Sequence, residues 1–163
     1  MADTKAPSRS SFSQLNRHKH PLRNGSNVWG FSSRQFPLMD LAEFREYCLT
    51  KPGATEGTPF GPDVLVFKVG GKIFALAAFA EVPPTVNLKC DPELALDLRD
   101  RYEEVRPGYH MNKKHWNTVE IEGGIPAGEL RRMIDHSFEL VIRSLPKAAR
   151  SNQRRQRASR STR

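Results

Sequence analysis

The run Val64-Leu65-Val66-Phe67-Lys68-Val69-Gly70-Gly71-Lys72-Ile73-Phe74-Ala75-Leu76-Ala77-Ala78-Phe79 constrains this chain more than any other. Two apolar segments, rich in β-branched and aromatic residues, flank a Gly-Gly dipeptide. Such a dipeptide permits the positive φ angles of a tight primed turn. The spacing predicts an antiparallel hairpin, Val64 to Val69 against Lys72 to Phe79. The apolar face of a hairpin sheet needs a covering layer.

The flanking sequence supplies that layer. Asp40 is a good N-cap residue, and Leu41, Phe44 and Cys48 follow at helical spacing. Lys51-Pro52-Gly53 ends this helix, because the residue before a proline avoids helical angles. A short strand is predicted over residues 54–60, a turn at Gly61-Pro62-Asp63, and another strand over Thr85 to Lys89. Asp91-Pro92 opens a second helix, with Leu94, Leu98 and Tyr102 inward. Strands are predicted at Val105 to Tyr109 and Thr118 to Ile121. Leu130, Ile134, Phe138, Val141 and Leu145 form the apolar stripe of a third helix, which starts near Pro126 and ends at Pro146. Hairpin-linked strands with helices between and after them read as α+β, an antiparallel sheet packed against helices.

The chain has 163 residues and a formal charge of +8, but the charge is unevenly placed. Residues 1–37 carry about +5, residues 149–163 about +6, and residues 38–148 about −3. Basic character therefore belongs to the ends, and a globally basic DNA-binding domain is not what the centre presents. Residues 1–37 are rich in Ser, Asn, Arg and Pro, with apolar residues in no sustained period. They are expected to be a disordered basic segment. An Arg-rich, Ser-rich, acid-poor segment also describes an organelle transit peptide, although Pro21 and Gly25 interrupt any amphipathic helix. Residues 149–163 read as a disordered Arg-rich tail, with Arg154, Arg155 and Arg157 able to track a nucleic-acid backbone.

The longest apolar stretch, Ile73 to Ala80, is far short of the roughly 20 residues that span a bilayer. No hydrophobic signal segment follows Met1, and Cys48 and Cys90 suit a reducing compartment, so a cytoplasmic location is expected. Neither cysteine belongs to a Cys-x-x-Cys pair. His110 and His115, five apart, suit neither a helical metal pair nor one strand face. No cofactor or metal is expected, and no catalytic motif is visible.

The segment Arg106-Pro107-Gly108-Tyr109-His110-Met111-Asn112-Lys113-Lys114-His115-Trp116-Asn117-Thr118-Val119 concentrates basic, aromatic and amide side chains between two strands. Lys113 and Lys114 could meet phosphates as point charges, and Arg106 could make a bidentate phosphate or guanine contact. Trp116, Tyr109 or His115 could stack on an unpaired base, and Asn112 could orient by hydrogen bonding. Lys89, at the end of a preceding strand, could join them. The structural alternative is as simple. Trp116 would be a core or rim aromatic, His110 and His115 hydrogen-bonded loop residues, and the lysines a solvated turn.

Together with Lys51-Pro52-Gly53-Ala54, Phe67 to Ala75 and Asn87-Leu88-Lys89-Cys90-Asp91-Pro92, this segment resembles the YjbR/MmcQ family. The resemblance covers residues 38–148 and neither end. It implies a frataxin-like (CyaY-like) fold and a DNA-binding role, with no enzymatic activity to carry over. Frataxins use a crowded acidic ridge on the first helix, whereas Asp40, Glu43 and Glu46 here are offset by Arg45. The expectation is a monomeric, non-enzymatic nucleic-acid-binding module, DNA before RNA. It would read through Lys89, Arg106, His110, Asn112, Lys113, Lys114, His115 and Trp116. The alternative is a small protein-interaction or ligand-binding domain with a pocket beside Trp116.

Overall fold

The computed structural model describes residues 37–151 and residue 158. In chain order the elements are α1 (Leu41–Leu49), β1 (Ala54–Gly57), β2 (Val64–Val69), β3 (Lys72–Ala78), β4 (Thr85–Lys89), α2 (Pro92–Arg101), β5 (Val105–Pro107), β6 (Trp116–Glu120) and α3 (Ala127–Ser144). The six strands form one antiparallel sheet in the order β1-β2-β3-β4-β6-β5. This is the α+β architecture expected from the hairpin and its flanking helices.

Gly70 and Gly71 make the β2–β3 turn with φ of 57° and 78°, a region that glycine enters without steric cost. Asp40 caps α1 through a reciprocal capping box with Glu43. Pro92 opens α2, but the Asp91 side chain makes no cap hydrogen bond. Instead the Asp91 backbone N–H donates to His136 Nε2 on α3 at 3.2 Å.

All three helices feed one core. Phe44 and Cys48 of α1, Ala95 and Leu98 of α2, and Leu130, Ile134, Phe138 and Val141 of α3 pack on Phe67, Ala75, Ala77, Val86, Leu88 and Val119 of the sheet. Phe44, Phe67, Phe74 and Phe138 form a chain of ring contacts, with successive centroids 5.8, 6.3 and 5.3 Å apart. Edge and tilted geometries of this kind add about 0.5–1.5 kcal/mol per pair beyond the buried area.

Because strand side chains alternate, the other face of the sheet carries a different row. Leu76, Asn87, Thr118 and Arg106 are successive cross-strand partners on β3, β4, β6 and β5, and Lys89 lies opposite Trp116 on the same face.

Several element boundaries differ from the sequence expectation: β1 ends at Gly57 and not at Phe60, β3 at Ala78 and not at Phe79, and β6 at Glu120 and not at Ile121. β6 begins at Trp116, two residues early, because Trp116 pairs with Lys89 in the β4 ladder. Trp116 is therefore a strand residue and not a loop residue. β5 stops at Pro107, although the Gly108 N–H still donates to the Trp116 carbonyl at 2.8 Å, and Gly108 lies too close to Trp116 to carry a side chain. A Cβ there would lie 2.8 Å from Trp116 Cβ. Residues 147–151 are helical, so the chain expected to be disordered from 149 starts as helix. Residues 1–36 and Arg154, Arg155 and Arg157 lie outside the described residues.

Candidate nucleic-acid interface

The β4–β6 ladder sets the geometry of the interface. It holds the Lys89 Nζ 5.8 Å from the centroid of the Trp116 ring, within cation–π range. Both side chains are half-buried. The backbone N–H of Lys89 has no partner in the β3 ladder, which stops at the Ala75–Leu88 pair. It donates to the buried Ser137 hydroxyl at 2.8 Å, and that hydroxyl donates to the Phe74 carbonyl. Helix α3 thus completes the ladder where β3 leaves it and fixes the Lys89 backbone.

Between β5 and β6 the loop is held by its own polar groups and by α2. Asn112 Oδ1 accepts the Lys114 N–H at 3.0 Å, an Asx turn that uses the side-chain oxygen of the residue expected to orient a ligand. The His115 N–H donates to the Asn112 carbonyl at 2.9 Å, and the His115 carbonyl accepts the Cys90 N–H at 2.8 Å. This last bond brings the Lys113-Lys114 turn to the Lys89 end of the sheet. Both lysines are exposed, and among the described residues neither ammonium pairs with an acid. His110 sits at φ 54°, and its ring lies 4.0 Å from that of Tyr109. His115 is half-buried.

Arg106 is less available than the sequence implies. Its guanidinium forms an ion pair with Glu120, four residues along β6 from Trp116. The sequence reading missed Arg99 altogether. Its Nε donates to Asn117 Oδ1 at 2.8 Å, and one terminal nitrogen reaches the Lys113 carbonyl at 2.5 Å and the Trp116 carbonyl at 3.2 Å. A planar fork can satisfy three acceptors at once, so Arg99 fastens the loop to α2. It stands in the last turn of α2 beside Arg101, where a basic residue is ordinarily read as a match to the helix dipole.

Two cavities flank β6. One, of about 310 Å³, opens on the helix-free face between Thr85, Asn87, Thr118, Arg106, Tyr109 and Glu81. The other, of about 240 Å³, lies between α2, α3 and the sheet, over Leu88, Leu94, Leu98, Val119 and Met133 with Cys90 and His136 at its wall. Trp116 lines neither of these two cavities. Burial pushes the Cys90 thiol up to about 11, helped by the Asp91 carboxylate, and pushes Cys48 higher still. Both thiols are therefore protonated at neutral pH. Burial also holds the His136 imidazole below its usual range. Among the described residues, no group of three or more His, Cys, Asp or Glu side chains could hold a metal ion. No helix among them is long and apolar enough to cross a membrane.

A domain of one antiparallel sheet with its helices packed on one face is the class of protein defined here, and sequence relatives share it. The YjbR family model matches residues 49–140. Escherichia coli K12 YjbR is 36% identical over 112 residues, covering 69% of this chain and 95% of its own. YbdF of E. coli O157:H7 is 46% identical over 89 residues, covering 55% and 73%. A crystal structure of the Deinococcus radiodurans protein DR2400 superposes with a TM-score of 0.67 at 36% identity, over 73% of this chain and 91% of that one. The chain belongs to the YjbR family. None of these names states an activity, and a shared fold does not assign one.

Proposed function

We propose that this protein is a non-enzymatic nucleic-acid-binding module, most simply a monomer in the cytoplasm, that contacts DNA through the helix-free face of its sheet. The observation that carries this reading is the Lys89–Trp116 pair. A lysine ammonium and an indole face are held side by side on one sheet surface, next to Lys113 and Lys114. The domain between the basic ends has a net negative charge, yet these three lysines meet no acid among the described residues. Positive charge beside an aromatic ring is the pairing that nucleic acids reward, through phosphates and through base stacking. Arg154, Arg155 and Arg157 add charge that binds without sequence preference.

The test is fluorescence anisotropy of the full chain with a labelled oligonucleotide across a salt series. Replacing Lys89, Lys113 and Lys114 together by alanine should weaken binding and flatten the salt dependence by roughly one unit of slope per lysine. If that variant binds like the wild type while replacing the tail arginines abolishes binding, the sheet face is not the reader.

The second cavity supports a ligand-binding alternative. Its apolar floor of Leu88, Leu94, Leu98, Val119 and Met133 is the lining that small-molecule sites use. That reading requires a partner whose affinity is indifferent to salt.

A further inference from the structure

The cavity on the helix-free face carries a more specific conclusion, which rests on the nucleic-acid reading above. We propose that it receives one unpaired base of a single strand, stacked on Tyr109 and hydrogen-bonded by Asn87, so that the protein prefers unpaired to duplex nucleic acid.

Three observations converge. The first is a hydrogen-bond relay that joins the loop after β5 to two strands. The Tyr109 backbone N–H donates to Thr118 Oγ1 at 2.9 Å, and the Thr118 hydroxyl donates to Asn87 Oδ1 at 2.6 Å. The relay occupies the Asn87 carbonyl oxygen and so fixes which way the amide is turned. What Asn87 has left to offer the cavity is its NH2 group, a pair of donors. Such a group matches the ring carbonyl and ring nitrogen acceptors of a nucleobase. Glu81, also on the wall, supplies an acceptor for a base N–H.

The second observation is Tyr109 itself. It is 64% exposed, its outward side is not buried in any core, and its backbone is pinned by Thr118. The His110 ring packs against it at 4.0 Å. A large aromatic held in place yet left open to solvent is the form a stacking platform takes.

The third is size and surroundings. At about 310 Å³ the space is at the lower end of the roughly 300–1,000 Å³ range of small-ligand sites, enough for a base and its sugar. Arg106 stands at the rim, 58% exposed even with Glu120 as its partner, and keeps donors for the flanking phosphate. A base inside a duplex cannot reach a recessed site without first leaving its stack, whereas a single strand has no such cost.

The experiment compares the full chain with a short oligothymidylate, with a strand of the same length and phosphate count made of abasic sites, and with a duplex. Wild type should bind the oligothymidylate at least about tenfold more tightly than the abasic strand or the duplex at equal salt. Tyr109→Ala leaves the backbone bond to Thr118 intact and should remove that tenfold advantage without changing the salt slope. Asn87→Leu should also reduce the advantage, and its circular dichroism spectrum reports whether the sheet is retained. If oligothymidylate and abasic strand bind equally and with steep salt dependence, the base site is overturned and the nucleic-acid reading stands. If none of the three binds, both are overturned.

Discussion

The Ser137 hydroxyl accepts the backbone N–H of Lys89 at 2.8 Å and donates to the carbonyl of Phe74. One buried side chain on α3 therefore bridges two strands at the point where their own ladder ends. Ser137→Ala would orphan a donor and an acceptor in a site from which water is excluded. Each such group costs about 1–3 kcal/mol. A urea titration should show a lower midpoint with little change in slope. The amide of Lys89 should exchange faster with solvent than in the wild type.

Arg99 invites a charge-conserving test. Its guanidinium reaches Asn117, Lys113 and Trp116 from two nitrogens of one rigid plane, a spread that the single nitrogen of an ammonium does not reproduce. Arg99→Lys should free the 113–117 segment despite keeping the charge. Hydrogen bonds to charged groups contribute about 1.5–3 kcal/mol, and losing part of that set should lower the melting temperature by several degrees. Hydrogen exchange should accelerate across Lys113 to Trp116 before it does in the β2–β3 hairpin.

The fold was legible where periodicity and turn chemistry agree. Gly70-Gly71 between two apolar runs, the Asp40 N-cap and the Leu130 to Leu145 stripe each signal their element locally, and each appears as expected. The start of β6 was not legible. Trp116 becomes a strand residue because Lys89, 27 positions earlier, lies opposite it, and no local pattern announces a cross-strand partner. The site was partly legible for the same reason. The basic and aromatic residues of the β5–β6 segment stand out in the sequence. The groups that orient them do not: Ser137 reads as a polar gap in an apolar stripe, Arg99 as a helix-end charge, and Asn87 and Thr118 as ordinary strand residues.

His136 sets a pH dependence whose sign is fixed. Its Nε2 accepts the Asp91 N–H, and burial lowers its pKa in the folded state. The unfolded chain, titrating near the ordinary value of about 6.5, then binds more protons between the two pKa values. Stability in this window rises with pH. It is fully present above about 6.5 and is lost as pH falls through that value toward the folded pKa. Thermal melts at pH 7.5 and pH 5 should show the acid sample melting lower. His136→Gln, which retains an acceptor, should reduce the difference.

The central claim is that the helix-free sheet face is the surface that meets nucleic acid. Amide and indole chemical-shift mapping of the full chain, titrated with a short single-stranded oligonucleotide, tests it most directly. The largest shifts are expected at the Trp116 indole N–H, Lys89, Asn87, Tyr109 and Thr118, with the Lys113-Lys114 turn following. Shifts confined to residues beyond Arg150, or centred on Leu94 and His136 on the helix side of the sheet, would contradict it.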